Sequence, residues 1–246
     1  MEDKEFIIEG RNPIREAFRA GKTIDRLYVQ EGLRDGPVLG LIKLAKKADA
    51  IVDYVSKERL DQMSETGKHQ GVIVHAAAYE YAEVEDILAK AEKAGEPPFI
   101  FLLDDIEDPY NLGAIIRSAN LMGAHGVIIP KRRAAGLTAT VAKASAGAIN
   151  YTPVAKVGNL TQTIEELKKK GLWFVSADMD GKLMYDLDLR GPVGVVIGNE
   201  GTGVSRLVKE KCDLNARIPM KGDIDSLNAS VAAAVLGYEI VRQRLK

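Results

Sequence analysis

The chain opens with short apolar stretches set between polar ones. Residues 24–29 alternate apolar and polar, which predicts a half-buried strand, and 6–9, 51–55 and 71–77 read as further short strands. Segments 39–48 and 56–63 carry helical spacing between them. Asn12 and Pro13 read as the cap and first position of a further helix, which Gly21 ends. These elements predict a small α/β unit over residues 1–77. A polar helix over 84–94 follows and stops at Gly95, Pro97 and Pro98, so 78–98 reads as a linker region whose helix could belong to either unit.

After residue 98 the pattern changes. Apolar runs at 99–103, 126–129, 172–176 and 193–197 lack alternation, as buried parallel strands do. Segments 112–122, 160–170 and 227–245 read as helices, and Leu112, Ile115, Ile116, Ala119 and Met122 share one helical face. Strands alternating with helices predict a mainly parallel sheet covered on both sides over residues 99–246. Trp173, inside the apolar run GLWFVS, reads as core.

Composition narrows the function classes. The formal net charge of 246 residues is -1, so a nucleic-acid partner would have to be held by local basic clusters. Two exist. Arg11, Arg15 and Arg19 are four apart on the first helix and share a face, and Lys131, Arg132 and Arg133 follow a strand. A plain solvated face explains each equally well. Cys212 is the one cysteine, and His69, His75 and His125 have no ligand spacing, so neither a disulfide nor a metal site is expected. The opening residues lack the long apolar stretch of a signal peptide, and no window is apolar enough for a membrane span; a cytoplasmic protein is expected.

Three loops carry residue types that structure alone does not require. Ligands in open α/β sheets gather beyond the carboxyl ends of strands. The first loop, DDIEDPYNLGAIIRSA, follows the strand at 99–103 and holds Asn111, which could cap the next helix, and Arg117, which could form a surface ion pair. The second, GNEGTGVS, follows the strand at 193–197. Its glycines permit close backbone approach to a ligand, and Glu200 sits among them. It is not the G-x-G-x-x-G fingerprint, which argues against a nicotinamide enzyme. The third, IPMKGDIDSLNAS, precedes the last helix; Ser226 reads as its cap, with Asn228 in its first turn.

Taken together, FLLDDIEDPYNLGAIIRSAN, VVIGNEGTGVS and IPMKGDIDSLNASVAAAV resemble, in order and spacing, the three motifs of the SpoU-type RNA 2′-O-methyltransferases of the SPOUT superfamily. The opening EGRNPIREAF and the strand around LYV resemble the small ribosomal-protein-like, RNA-binding domain of the subgroup acting on guanosine of 23S ribosomal RNA. The resemblance implies a C-terminal trefoil knot, a rare exception to ordinary chain connections. It implies S-adenosylmethionine held at Gly198, Ile218 and Leu227, with Ala177 and Asn199 beside them. It implies a homodimer through the knotted domain, each subunit completing the other's site. The matched polar residues are Arg117, Asn111, Glu200, Ser226 and Asn228. A guanidinium stays protonated in proteins, so Arg117 is expected to clamp phosphate and stabilise an alkoxide rather than act as a base. Glu200 is expected to orient Arg117 or Asn111. Transfer RNA is the alternative substrate, and a non-catalytic RNA- or ribosome-binding protein the alternative function.

Overall fold

A computed structural model describes residues 6–223 and 226–245. The described residues form two compact units, one of 6–80 with 136–140, the other of 81–135 with 141–223 and 226–245.

The first unit runs β1 (Phe6–Glu9), α1 (Arg11–Arg19), β2 (Ile24–Gln30), α2 (Gly36–Lys47), β3 (Ile51–Val55), α3 (Lys57–Met63) and β4 (Val72–Ala76). Its sheet has the order β1-β4-β2-β3, antiparallel except for the parallel pair β2 and β3. Asp35 starts α2 by accepting the Val38 N–H, and Ser56 starts α3 by accepting the Arg59 N–H. Ile14, Leu27, Val29, Leu41 and Val74 form the core. The start of α1 differs from the sequence expectation. Gly10 precedes the helix rather than Asn12, because the Gln70 side chain accepts the Arg11 N–H and the Gly10 carbonyl accepts the Ile14 N–H. Pro13 then lies within the first turn, where its missing N–H costs nothing.

The second unit begins with α4 (Val84–Ala94), then β5 (Phe99–Leu103), α5 (Pro109–Leu121), β6 (Gly126–Pro130), α6 (Ala139–Ala144), β7 (Val154–Val157), α7 (Leu160–Lys169), β8 (Trp173–Leu183), β9 (Val193–Ile197), α8 (Arg206–Lys209), β10 (Leu214–Arg217) and α9 (Ala229–Arg244). Its six strands lie in the order β10-β8-β9-β5-β6-β7, every neighbouring pair parallel. The central strands β5 and β9 are buried at every position, as a sheet covered on both faces requires. The expected α/β class with a mainly parallel sheet and a smaller preceding unit holds.

The helix within the expected linker at 78–98 belongs to the second unit. Ile87 and Ala91, one turn apart on α4, are buried, and Ile87 joins the core around Ile100, Leu102 and Ile128. A Cβ at Gly126 would stand 2.6 Å from Ile87 Cγ1, so the helix seats where β6 carries no side chain. Trp173 is 60% exposed and is not core; the neighbouring Phe174 takes the buried position. The strand it opens runs on to Leu183, past the apolar run that marks it in sequence. The short β7, α6, α8 and β10 carry too few residues for a periodic signal.

Candidate active site

The carboxyl ends of β5 and β9 and the start of α9 meet in one place. After β5, the Asp104 carboxylate accepts the Ser205 N–H at 2.7 Å, joining the first loop to the second. Asp108 caps α5 by accepting the Tyr110 N–H, with Pro109 at its first position. Asn111 is therefore not the cap expected from sequence. It lies inside the first turn, 7% exposed, and its amide is free for tertiary bonds.

Those bonds go to the other two loops. Asn111 Nδ2 donates to Glu200 Oε1 at 2.5 Å, and Asn111 Oδ1 accepts from Asn228 Nδ2 at 2.9 Å. Asn228 Nδ2 also reaches Glu200 Oε1 at 3.3 Å, and the Ala229 N–H donates to that oxygen at 3.4 Å. One carboxylate oxygen thus takes two side-chain amides and a backbone amide at the N-terminus of α9, where the helix dipole favours negative charge. Asn228, not Ser226, caps α9: its Oδ1 accepts the Ser230 and Val231 N–H groups. One side chain therefore starts the helix and braces the cluster.

Arg117 stands apart from this cluster. Six residues along α5 from Asn111, it is about 9 Å further along the axis and about 120° round it. It is exposed and has no hydrogen-bond or ion-pair partner among the described residues. Within one chain, then, Glu200 is bonded to Asn111 and not to Arg117.

Beside the cluster lies a pocket. Gly198, Ile218, Leu227, Ala177 and Asn199 all line it, as does Ser226. The glycine pattern has a steric cause. A Cβ at Gly198 would fall 2.1 Å from the Gly203 carbonyl carbon and 2.2 Å from the Val204 nitrogen. The loop folds back so tightly because Gly203 N–H donates to the Asn199 carbonyl and Asn199 Oδ1 accepts the Gly201 N–H, both at 2.8 Å. Asp178 and Lys209 also line the pocket, and neither is marked by the sequence motifs. Asp178 directly follows Ala177, two residues past the apolar run at 172–176, so the end of that run is a usable signal. Lys209, in a charged helical run, gives none.

The two basic clusters fare differently. Arg11 pairs with Asp35 at 2.7 Å and donates to the Gln70 carbonyl, and Arg19 pairs with Glu16, so acids answer two of the three charges on α1. Arg15 is half-buried. Lys131, Arg132 and Arg133 follow β6, beside β5, at the same edge of the sheet as the cluster. Arg132 and Arg133 are exposed, and burial, with Lys156 nearby, lowers the Lys131 pKa.

The remaining chemistry-bearing groups are structural. His69 is buried, accepts the Gly71 N–H and faces Asp61, and His125 accepts the Phe99 N–H. No group of His, Cys, Asp and Glu among the described residues could hold a metal ion. Among them, too, no helix is long and apolar enough to cross a membrane. Burial and then the Asp213 charge push the Cys212 thiol up to about 12. Only the thiolate is a nucleophile. In the native protein Cys212 is expected to resist iodoacetamide at pH 8 and to react once guanidinium unfolds the chain; rapid native labelling would contradict its burial.

The chain is similar to proteins of one family over nearly its whole length. The SpoU rRNA Methylase family matches residues 98–238, and the domain described as RNA 2′-O ribose methyltransferase substrate binding matches residues 7–82. YacO of Bacillus subtilis (strain 168), named for the TrmH family of tRNA/rRNA methyltransferases, is 47% identical over 99% of this chain and 98% of its own. Among solved structures, the SpoU methyltransferase AviRb from Streptomyces viridochromogenes, in complex with the cofactor AdoMet, has a TM-score of 0.62 at 26% identity, over 98% of this chain and 90% of that one. A structure named as an RNA 2′-O ribose methyltransferase has a TM-score of 0.56 at 28% identity, over 98% and 89%. A two-unit α/β protein with a polar cluster and pocket at one sheet edge is thus an RNA methyltransferase. The chain belongs to the SpoU rRNA Methylase family.

Proposed function

We propose that this protein transfers a methyl group from S-adenosylmethionine to the 2′-hydroxyl of a ribose in RNA, on a guanosine of 23S ribosomal RNA, in the cytoplasm and as a homodimer. The observation that carries the reading is the Asn111–Glu200–Asn228 cluster joined to a pocket that five expected donor-binding residues line.

The pocket suits the donor. Ala216, Ile218, Leu227, Ala229 and Ala232 give apolar walls for a flat base. The bare backbone at Gly198 leaves space for close approach, and the Glu200 carboxylate opposes a positive charge. When bound, the donor supplies an activated methyl on a sulfonium. What the protein must add is alignment of the attacking oxygen and stabilisation of the charge it develops. Glu200, fixed by three donors, holds Asn111 and Asn228 at the acceptor end. Arg117 clamps a phosphate and stabilises the developing alkoxide, while a phosphate oxygen or water takes the hydroxyl proton.

Arg117 is assigned to the site of a second copy. Tyr110 and Leu121 on α5, and Val231 and Tyr238 on α9, are exposed apolar residues on two helices that pack together. A homodimer covering them would carry Arg117 toward the partner subunit's cluster.

The basic run after β6 is assigned to the RNA backbone. Replacing Lys131, Arg132 and Arg133 with Ala should weaken RNA binding and flatten its salt dependence, by roughly one unit of slope for each phosphate no longer neutralised. An unchanged slope would remove the run from the interface. The substrate preference rests on the family's rRNA description and the small first unit. Transfer RNA is the second reading, favoured by the joint tRNA/rRNA name of the Bacillus subtilis relative. Mapping ribose methylation in cells lacking the protein separates them: one 23S guanosine should lose its methyl, and loss from a transfer RNA instead would support the second reading.

A further inference from the structure

Asp178 lines the same pocket but takes no part in the Asn111 cluster. Its side chain is 12% exposed. Oδ1 accepts the Asp180 N–H at 3.0 Å, and the buried Oδ2 is met by the ammonium of Lys209, contributed by α8. Burial alone would raise the Asp178 pKa, but Lys209 and the Asp180 N–H outweigh it and hold the group below its ordinary value. The carboxylate is therefore ionised near neutral pH, and it is an acceptor only.

A bound methyl donor offers three kinds of hydrogen-bond donor to such a group: the adenine amine, the α-ammonium and the ribose hydroxyls. The base belongs against the apolar walls of Ala216, Ile218 and Leu227, away from charge. The α-ammonium is a cation, and Lys209 already supplies one at this carboxylate; a second would be repelled. A neutral hydroxyl meets neither objection. A carboxylate has about four lone-pair sites, and two are in use here, so capacity remains.

We propose that Asp178 recognises the ribose of the methyl donor by accepting a hydrogen bond from one of its hydroxyls, with Lys209 as the positioning residue. The proposal rests on the pocket being the donor site. It makes the middle of β8 a determinant of donor specificity, separate from the cluster that handles the acceptor.

Calorimetric titration of the full chain tests it with two probes, S-adenosylhomocysteine and 5′-methylthioadenosine. The second keeps base and ribose but lacks the amino-acid end. Asp178→Asn should weaken both by the same factor, about tenfold to a hundredfold for a lost bond to a charged acceptor. On wild-type protein, either the 2′-deoxy or the 3′-deoxy form of 5′-methylthioadenosine should show a like loss, and that form should lose nothing further on Asp178→Asn. This arm does not depend on how the variant folds. Lys209→Ala should weaken both probes less, and Lys209→Arg should restore them, which a merely structural lysine would not require. Loss confined to S-adenosylhomocysteine would assign Asp178 to the amino-acid end and overturn the proposal. So would wild-type affinity in Asp178→Asn, or full affinity for both deoxy analogues. Wild-type protein that binds neither probe would overturn the donor-site reading itself.

Discussion

Arg117→Ala and Asn111→Ala proteins, each nearly inactive alone, should recover activity when their subunits are mixed. Removing the guanidinium that stabilises the alkoxide should lower turnover by about a thousandfold while leaving donor binding intact. The reason to expect rescue is positional. Arg117 is exposed, unpaired among the described residues and turned away from the Asn111–Glu200 cluster of its own chain. If it serves the partner subunit's cluster, a mixed dimer has one site with both residues intact and one with neither. Random exchange makes half the dimers mixed, so activity should return to about a quarter of wild type in a two-fold dimer. Unfolding and refolding the mixture, then assaying methyl transfer, gives the measurement. Mixtures no more active than their components would put Arg117 in its own subunit's site.

Gly198→Ala should abolish donor binding and destabilise the second unit. The added methyl would stand 2.1 Å from the backbone of Gly203, and backbone cannot rotate aside as a long side chain could. Forcing the loop open should cost about 1–3 kcal/mol or more. It would also break the turn that Asn199 holds through the Gly201 and Gly203 amides. Gly201 is the internal control. A Cβ there meets only Asn199 Oδ1, at 3.4 Å, so Gly201→Ala should bind and melt nearly as wild type does. Calorimetry with S-adenosylhomocysteine and thermal melts of both variants decide the matter. Tight binding by Gly198→Ala would mean that the loop does not form the pocket wall.

Much of this architecture is written in local pattern. The unbroken apolar runs of β5 and β9 mark the centre of the sheet because both faces are covered there. The three loops stand out because their residue types exceed what a turn requires. Other features depend on partners distant in sequence. Asn111 and Ser226 look like caps in isolation, yet Asp108 and Asn228 hold those positions, leaving Asn111 free for Glu200, 89 residues away. Trp173 sits in an apolar run but on its exposed side, which the run alone does not reveal. The polar surface of α4 suggests a linker, while its two buried positions, Ile87 and Ala91, tie it to the second unit. The Lys209–Asp178 pair joins a short helix to the middle of β8, and Lys209 carries no sequence signature.

The central claim concerns which atom receives the methyl. Purified protein should be incubated with labelled S-adenosylmethionine and unmodified 23S ribosomal RNA, and the RNA digested to nucleosides. The label should travel with 2′-O-methylguanosine. Label on a base, with the sugar unmodified, would contradict the account.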